Sequence, residues 1–380
     1  MLILFNIFWA MIGMESLFAD VYNNYFSTRL KLGGKATLSG TPDQDALLKK
    51  IPEVLTSYLR DRKLSDLFKV KGSIGNGNIA RVPWVGLFRT AVTENAENGF
   101  YIVLLFSEDM SSCYLSLNQG ITAIEKLYTK SFALKKMREG AQAAVSHLEC
   151  DPEAWQGRIE LRSTRDLGRA YEEAAIVSFR YLRSEPPSQE TFFQNLDHLI
   201  AHYERLYQLF GKNLNSLFTV SEDEFQQIVL EKAAQPGELL QVFPSQSGYE
   251  TGGTLQLNKK YIRSPMVAAE AIRAAQFNCE IDPNHKTFVS RAKRQRYVEA
   301  HHLIPISQQS GFHASLDVVA NVVALCANCH RLLHYGVEND RRSLLTTLFK
   351  ERRPALLENS IDVKQNDFLR FYSRASLVDD

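Results

Sequence analysis

VEAHHLIPISQQSGFHASLDVVANVVALCANCHRLLH, residues Val298 to His334, carries more of this chain's chemistry than any other stretch of its 380 residues. It holds two of the five cysteines, Cys326 and Cys329, and five of the nine histidines: His301, His302, His313, His330 and His334. Cys279 and His285 lie just upstream. Histidine and cysteine bind transition metals and move protons near neutral pH, so their concentration here points to metal binding, proton transfer or both. A lone CxxC or a lone His pair reads as buried thiols or ordinary imidazoles. The two together, with Ile304-Pro305 after the pair and CxxCH after Asn321, do not.

That order resembles the core of the HNH nucleases, the ββα-metal module. In that family a His pair ends a strand, an Asn sits in the following loop and a His opens a helix. The resemblance implies that His302 is the general base, since a neutral imidazole takes a proton from water at physiological pH. It implies a divalent metal between His301 and His330, and Asn321 as the amide that braces the loop aiming the base. Hydrolysis of a phosphodiester needs such an ion to neutralise charge on the phosphate. Magnesium fits the family, and manganese, cobalt or nickel would suit two imidazoles as well. His313 falls in a loop and reads as solvated. His334, one turn beyond His330, is divided between the metal and packing.

The cysteines read as a second, structural metal site, because Cys326-Ala-Asn-Cys329 lets two thiolates reach one tetrahedral ion. Many relatives carry a second CxxC ahead of the His pair. Here Cys279 has no partner thiol, and His285 is the expected fourth zinc ligand, with Asp282 the weaker alternative. Such a site staples a module too small for a large apolar core.

At 380 residues the chain is long enough for two domains. Its composition, 45% hydrophobic and 23% charged, is that of a globular protein. A net charge of +1 gives no global field for nucleic acid, so any such signal is local. Lys286 to Arg296, KTFVSRAKRQR, supplies one: Lys286, Arg291, Lys293, Arg294 and Arg296 with no acidic residue. It is read as a DNA-backbone surface, with a solvated hairpin tip as the alternative. An odd number of cysteines fits a reducing compartment, and hence the cytoplasm, better than a disulfide framework. The apolar start MLILFNIFWAMIGM is too short for a bilayer span and lacks a signal-peptide pattern. Met14 is the expected true start, an amphipathic first helix the alternative.

Along the chain, Asp43–Leu59 and Thr191–Phe210 have helical spacing. Leu67–Val70, Val82–Phe88 and Phe100–Phe106 have the short aromatic and β-branched runs of strands. Residues 235–253, rich in Pro, Gly and Ser, read as a linker. Arg263–Phe277 reads as a helix feeding the metal module, and Ser343 onward as helical cover for it.

A second resemblance lies in KVKGSIGNGNIARVPWVGLF and NGFYIVLLFSEDMSSCYLSLNQG, continuing weakly through LGRAYEEAAIVSFRYL, over about 200 residues. These segments are similar to the N-terminal DNA-binding domain of McrB, from a modification-dependent restriction system. That family flips a modified cytosine into an aromatic-lined pocket, where a methyl group is better inspected than in a groove. The resemblance places Trp84, Tyr101 and Leu105 at pocket positions, and Asn76 where the family has a gap-filling Tyr between two loop glycines. Leu167 stands where another pocket wall is Tyr. Aromatic strand residues also serve as core, and that alternative stays open.

The expectation is an α+β protein. Residues 14–225 form a mixed α/β reader of modified DNA, 226–260 a linker, and 261–380 a ββα-metal HNH domain with a structural zinc site. The expected function is a type IV-like restriction endonuclease that cuts double-stranded DNA carrying modified cytosine, in defence against phage or foreign DNA. The alternatives are a sequence-specific type II HNH enzyme or a zinc-containing DNA-binding protein without nuclease activity. No GxxxxGK[ST] run occurs, so no nucleotide requirement is expected. One HNH centre cuts one strand, so double-strand cleavage calls for a homodimer or sequential nicks.

Overall fold

The computed structural model describes residues 13–234 and 263–372, except 213, 215–216, 218–219 and 292–293. The stretch 1–12, most of the linker and Lys293 therefore lie outside the described residues. The described chain divides into two compact units, one ending near residue 218 and one beginning near 219.

The first unit is built on a six-stranded antiparallel sheet. Its strands are β1 (Phe68–Ser73), β2 (Trp84–Arg89), β3 (Phe100–Phe106), β4 (Ser112–Gln119), β5 (Trp155–Gln156) and β6 (Ala175–Leu182), in the order β1-β2-β3-β4-β6-β5. The expected strands are present. The alternation of a strand sends successive side chains to opposite faces, and here both faces are apolar. Phe100, Ile102, Leu104 and Phe106 of β3 join the larger core, which α1 (Met14–Lys31) and α5 (Gln189–Phe210) cover with Phe18, Tyr22, Phe192 and Tyr203. The expected helix at 43–59 runs from Pro42 to Asp61 with a π-helical turn at Ala46–Lys50, before the regular α2 (Ile51–Asp61). Between β4 and β6 lie a short helix, Thr122–Leu127, and the longer α3 (Lys130–Val145) and α4 (Asp166–Glu173).

Tyr101, Val103 and Leu105 point to the other face. There they form a smaller cluster with Val82, Phe88, Tyr114, Leu161 and Tyr171. Trp84 pairs across the ladder with Leu105 and packs against this cluster. Between β1 and β2 the chain turns at Gly75, where φ is +109° and an added Cβ would lie 2.0 Å from the Asn78 carbonyl oxygen. Only glycine fits that turn.

The second unit opens with α6 (Glu222–Ala233), whose Ser221 and Glu224 form a capping box. This helix falls where the sequence reading ends the first domain and starts the linker. Instead it packs on α7 (Pro265–Ala274) through Phe225, Val229, Val267, Ala268 and Ile272, and Gln226 hydrogen-bonds both polar groups of the Ala300 backbone. Its apolar face is half of a core that the downstream ribbon needs, so it belongs to the second unit. That ribbon is β7 (Glu299–His302) and β8 (Val322–Leu325), antiparallel, with His301 opposite Val323 and His302 opposite Val322. After it come α8 (Ala327–Tyr335), α9 (Glu338–Glu358) and α10 (Gln365–Arg370). The ribbon is buried on both faces. Val322 and Ala324 meet the α6–α7 core, while Val323 and Leu325 meet a second core with Leu345, Phe349 and Phe368.

Candidate active site and metal centres

Period-two alternation gives the adjacent histidines different neighbours. His301 shares a strand face with Glu299, and both make contact with α8. Helical spacing then stacks His330 and His334, four residues apart, beside them. Ligand atoms of His301, His330 and His334 lie within 4.8 Å of one another. The expected pair of ligands is thus a trio: His334 turns its ring into the site rather than to packing alone.

The hydrogen bonds around two members of the trio favour one tautomer of each ring. The Tyr372 hydroxyl donates to the Leu303 carbonyl at 2.7 Å and stands 3.0 Å from His301 Nε2. With its proton committed, that hydroxyl accepts from His301, which leaves the His301 lone pair on Nδ1. Burial, and then the neighbouring imidazoles of His330 and His334, hold the His301 pKa well below its ordinary value, so the ring is neutral. His330 Nδ1 donates to Glu299 Oε2 at 2.5 Å, so in the neutral ring the lone pair lies on Nε2. Burial raises the Glu299 carboxyl, but the bonds from His330 and the Tyr297 hydroxyl outweigh it and hold it ionised. Nε2 of His330 and Nε2 of His334 are 3.2 Å apart. Two nitrogens each about 2.1 Å from one ion adopt that separation. The donor set fits a divalent transition ion, and a carboxylate bonded to a ligating imidazole is the usual outer support for one.

His302 is 6% exposed, with Nε2 3.0 Å from Asp317 Oδ1. Asn321, fully buried, accepts from the Ile304 N–H and donates to the carbonyls of Ile304 and Leu316, all within 2.9 Å. It ties the segment after His302 to the loop before β8, the bracing expected of it. The four histidines His301, His302, His330 and His334 line one cleft with Glu222 and Arg263. Arg263 lies 4.3 Å over the Phe225 ring and 2.8 Å from Glu222. His313 is exposed in its loop.

Cys279, His285, Cys326 and Cys329 converge separately, with ligand atoms within 4.8 Å. His285 Nδ1 is 3.6 Å from Cys326 Sγ and 3.4 Å from Cys329 Sγ, the edges of a tetrahedron whose bonds are about 2.0–2.3 Å long. Burial and the sulfurs of Cys279 and Cys326 push the Cys329 thiol up. Three buried sulfurs do not ionise together without a cation, so the cluster fits zinc. Asp282 is outside the cluster; its carboxylate accepts from the Asn284 N–H at 2.8 Å. Cys326 is also the N-cap of α8, its sulfur accepting from the Cys329 N–H, so the same knuckle that holds zinc starts the histidine helix.

In the basic hairpin, Lys286, Arg291 and Arg294 are exposed. Arg296 is exposed as well, but its guanidinium donates to Asn278 Oδ1 and the Pro283 carbonyl, both at 3.1 Å, bracing the zinc loop from outside. In the first unit, Asn76 is exposed at the tip of the glycine turn, and Trp84 is half-buried. Tyr101 and Leu105 are wholly buried among other apolar side chains. They line no open pocket in this conformation, because tight packing fills the face with Phe88, Tyr114 and Tyr171. The Tyr101 hydroxyl nonetheless has no hydrogen-bond partner among the described residues. Leu167 is 61% exposed and walls nothing. Tyr171, one helical turn later, is the aromatic of α4 that joins the cluster beside Trp84.

Sequence reasoning missed Glu299, Asp317, Tyr372, Glu222 and Arg263. Glu299, two residues before His301, carries a readable signal, since strand alternation places it on the same face. The others reach the cleft or its histidines through tertiary contacts alone.

A two-stranded ribbon and a following helix that share a histidine trio, next to a Cys3His cluster, define a ββα-metal nuclease module. Residues 281–337 match the HNH endonuclease family, and residues 23–208 match the family described as MrcB-like, N-terminal domain. The chain thus joins an MrcB-like N-terminal domain to an HNH endonuclease domain. It is also 39% identical over 81 residues, 21% of its own length, to the type IV methyl-directed restriction enzyme EcoKMcrA of Escherichia coli (strain K12). The match spans about a quarter, 27%, of that relative.

Proposed function

We propose that this protein is a DNA endonuclease of the restriction type, with its nuclease in the second unit and a reader of modified cytosine in the first. The observation that carries the reading is the cleft in which His302 adjoins three imidazoles whose candidate ligand nitrogens lie within 4.8 Å of one another. His302 takes the proton from the water that attacks phosphorus, and Asn321 holds its loop. His301, His330 and His334 would hold a magnesium or manganese ion, which supplies charge neutralisation at the phosphate when bound. Arg263 adds a fixed positive charge in the same cleft. Cys279, His285, Cys326 and Cys329 would hold the structural zinc. Lys286, Arg291 and Arg294 offer phosphate contacts around the basic hairpin, and Lys293 of the same run, outside the described residues, would add to them by its charge.

Support for the reader comes from the family match and from the half-exposed Trp84 above an aromatic cluster containing an unpaired hydroxyl. A flipped base stacked on Trp84 would have to open that cluster and would meet the Tyr101 hydroxyl. The burial of Tyr101 and Leu105 favours a second reading, in which this face is plain core and DNA is recognised by sequence through exposed loops such as that of Asn76.

Cleavage of matched plasmids separates the two. Unmodified, methylated and hydroxymethylated DNA are each incubated with magnesium or manganese. Preferential cutting of modified DNA that Trp84→Ala removes, with its folding intact, supports the first reading. Equal cutting of all three substrates supports the second. Cutting by His302→Ala at the wild-type rate would show that the base is misassigned.

A further inference from the structure

The geometry points to Asp317 as the positioning residue for His302, an inference that rests on His302 being the base of the proposed reaction. Asp317 Oδ1 is 3.0 Å from His302 Nε2, and the two side chains are 6% and 5% exposed. A carboxylate only accepts, so the proton of the neutral ring sits on Nε2 and the lone pair on Nδ1. Among the described residues no hydrogen-bond partner occupies that Nδ1, and the ring lines the cleft. The contact therefore selects the tautomer whose basic nitrogen remains available to a proton donor in the cleft.

The carboxylate is itself fixed. Its other oxygen accepts the Ser264 N–H at 2.8 Å, just ahead of α7, outside the segment matched to the HNH family. Asn321 binds the carbonyl of Leu316, the residue before Asp317, and both backbone polar groups of Ile304, two residues after His302. One amide thus keeps carboxylate and imidazole in register. A merely structural ion pair would affect folding, whereas a tautomer-selecting contact acts on the chemical step.

The test uses the full chain and the plasmid that wild type cuts best. Asp317→Asn keeps the side-chain shape, but with its oxygen accepting the Ser264 N–H its amide nitrogen donates to His302 Nε2, which moves the ring proton to Nδ1 and blocks the base. The maximal single-turnover rate is expected to fall by roughly 100-fold or more. Half-saturating DNA concentration, zinc content and melting temperature should stay near wild type. In the His302→Ala background the same substitution should cost nothing further, because its effect runs through His302. A second readout is independent of cleavage. In long-range proton–nitrogen spectra of protein carrying 15N-histidine, the ring assigned by its loss in His302→Ala should show a protonated Nε2, and Asp317→Ala should populate both tautomers. A proton on Nδ1 in wild type overturns the inference, as does an unchanged rate in Asp317→Asn or an equal loss without His302. A wild-type protein that cuts no DNA would instead overturn the nuclease reading, while the spectra still decide the tautomer.

Discussion

At the scale of single residues, the support around each histidine matters as much as the histidine. Tyr372, 5% exposed, offers its hydroxyl oxygen to His301 and donates the proton to the Leu303 carbonyl, while its ring packs among apolar neighbours. Tyr372→Phe keeps that packing and removes the acceptor that fixes the His301 tautomer. The metal concentration for half-maximal cleavage should rise by about tenfold, with little change in the rate at saturating metal, as seen in a manganese titration. At the zinc cluster, His285→Ala should reduce zinc retained through gel filtration, whereas Asp282→Ala should leave it near one ion per chain. Full zinc in the His285 variant would mean that the three thiolates suffice.

Elements act here by placing side chains at loop crossings. The β3–β4 turn carries Glu108, whose carboxylate accepts from the Thr164 N–H at 2.8 Å, the Thr164 hydroxyl at 2.9 Å and Arg81 at 2.5 Å. It thereby ties the segment entering β2, and so Trp84, to the segment entering α4. Burial raises the Glu108 carboxyl, but these three bonds outweigh it and hold its pKa below the ordinary value. A depressed folded pKa stabilises above the unfolded value and loses that contribution as the pH falls through the folded one. Glu108→Gln should therefore cost about 1–3 kcal/mol near neutral pH, and the gap to wild type should narrow in acid, below about pH 4. Melting curves across pH check this; a gap that widens in acid would contradict it.

For the whole molecule, the boundary between units decides which pieces stand alone. The second unit needs α6, since its residues complete the core beneath β7 and its Gln226 satisfies the Ala300 backbone. A fragment beginning at 219 should melt cooperatively and retain zinc. One beginning at 261 strips the cover from Val267, Ala268 and Ile272 and should be less soluble and melt lower. If the shorter fragment is equally stable, α6 is dispensable and the domain begins nearer 261. Among the described residues no helix is long and apolar enough to cross a membrane.

The sequence by itself determined the candidate site residues and much of the element pattern. Candidate bases, braces and metal ligands must be particular residue types at short spacings, so His301, His302, Asn321, His330 and the CxxC pair are legible in one dimension. Strand alternation and helical period likewise placed β1–β3, the 43–59 region and α5. Tertiary structure decided what depends on approach between distant segments. His334 became part of the trio because α8 docks against β7, and Tyr372 reached His301 across 71 residues. It also assigned Arg296 to the zinc loop and α6 to the second unit, and buried Tyr101 and Leu105 where sequence put a pocket. These outcomes follow from packing, which fills space with whichever side chains meet there, and no local pattern encodes which ones will.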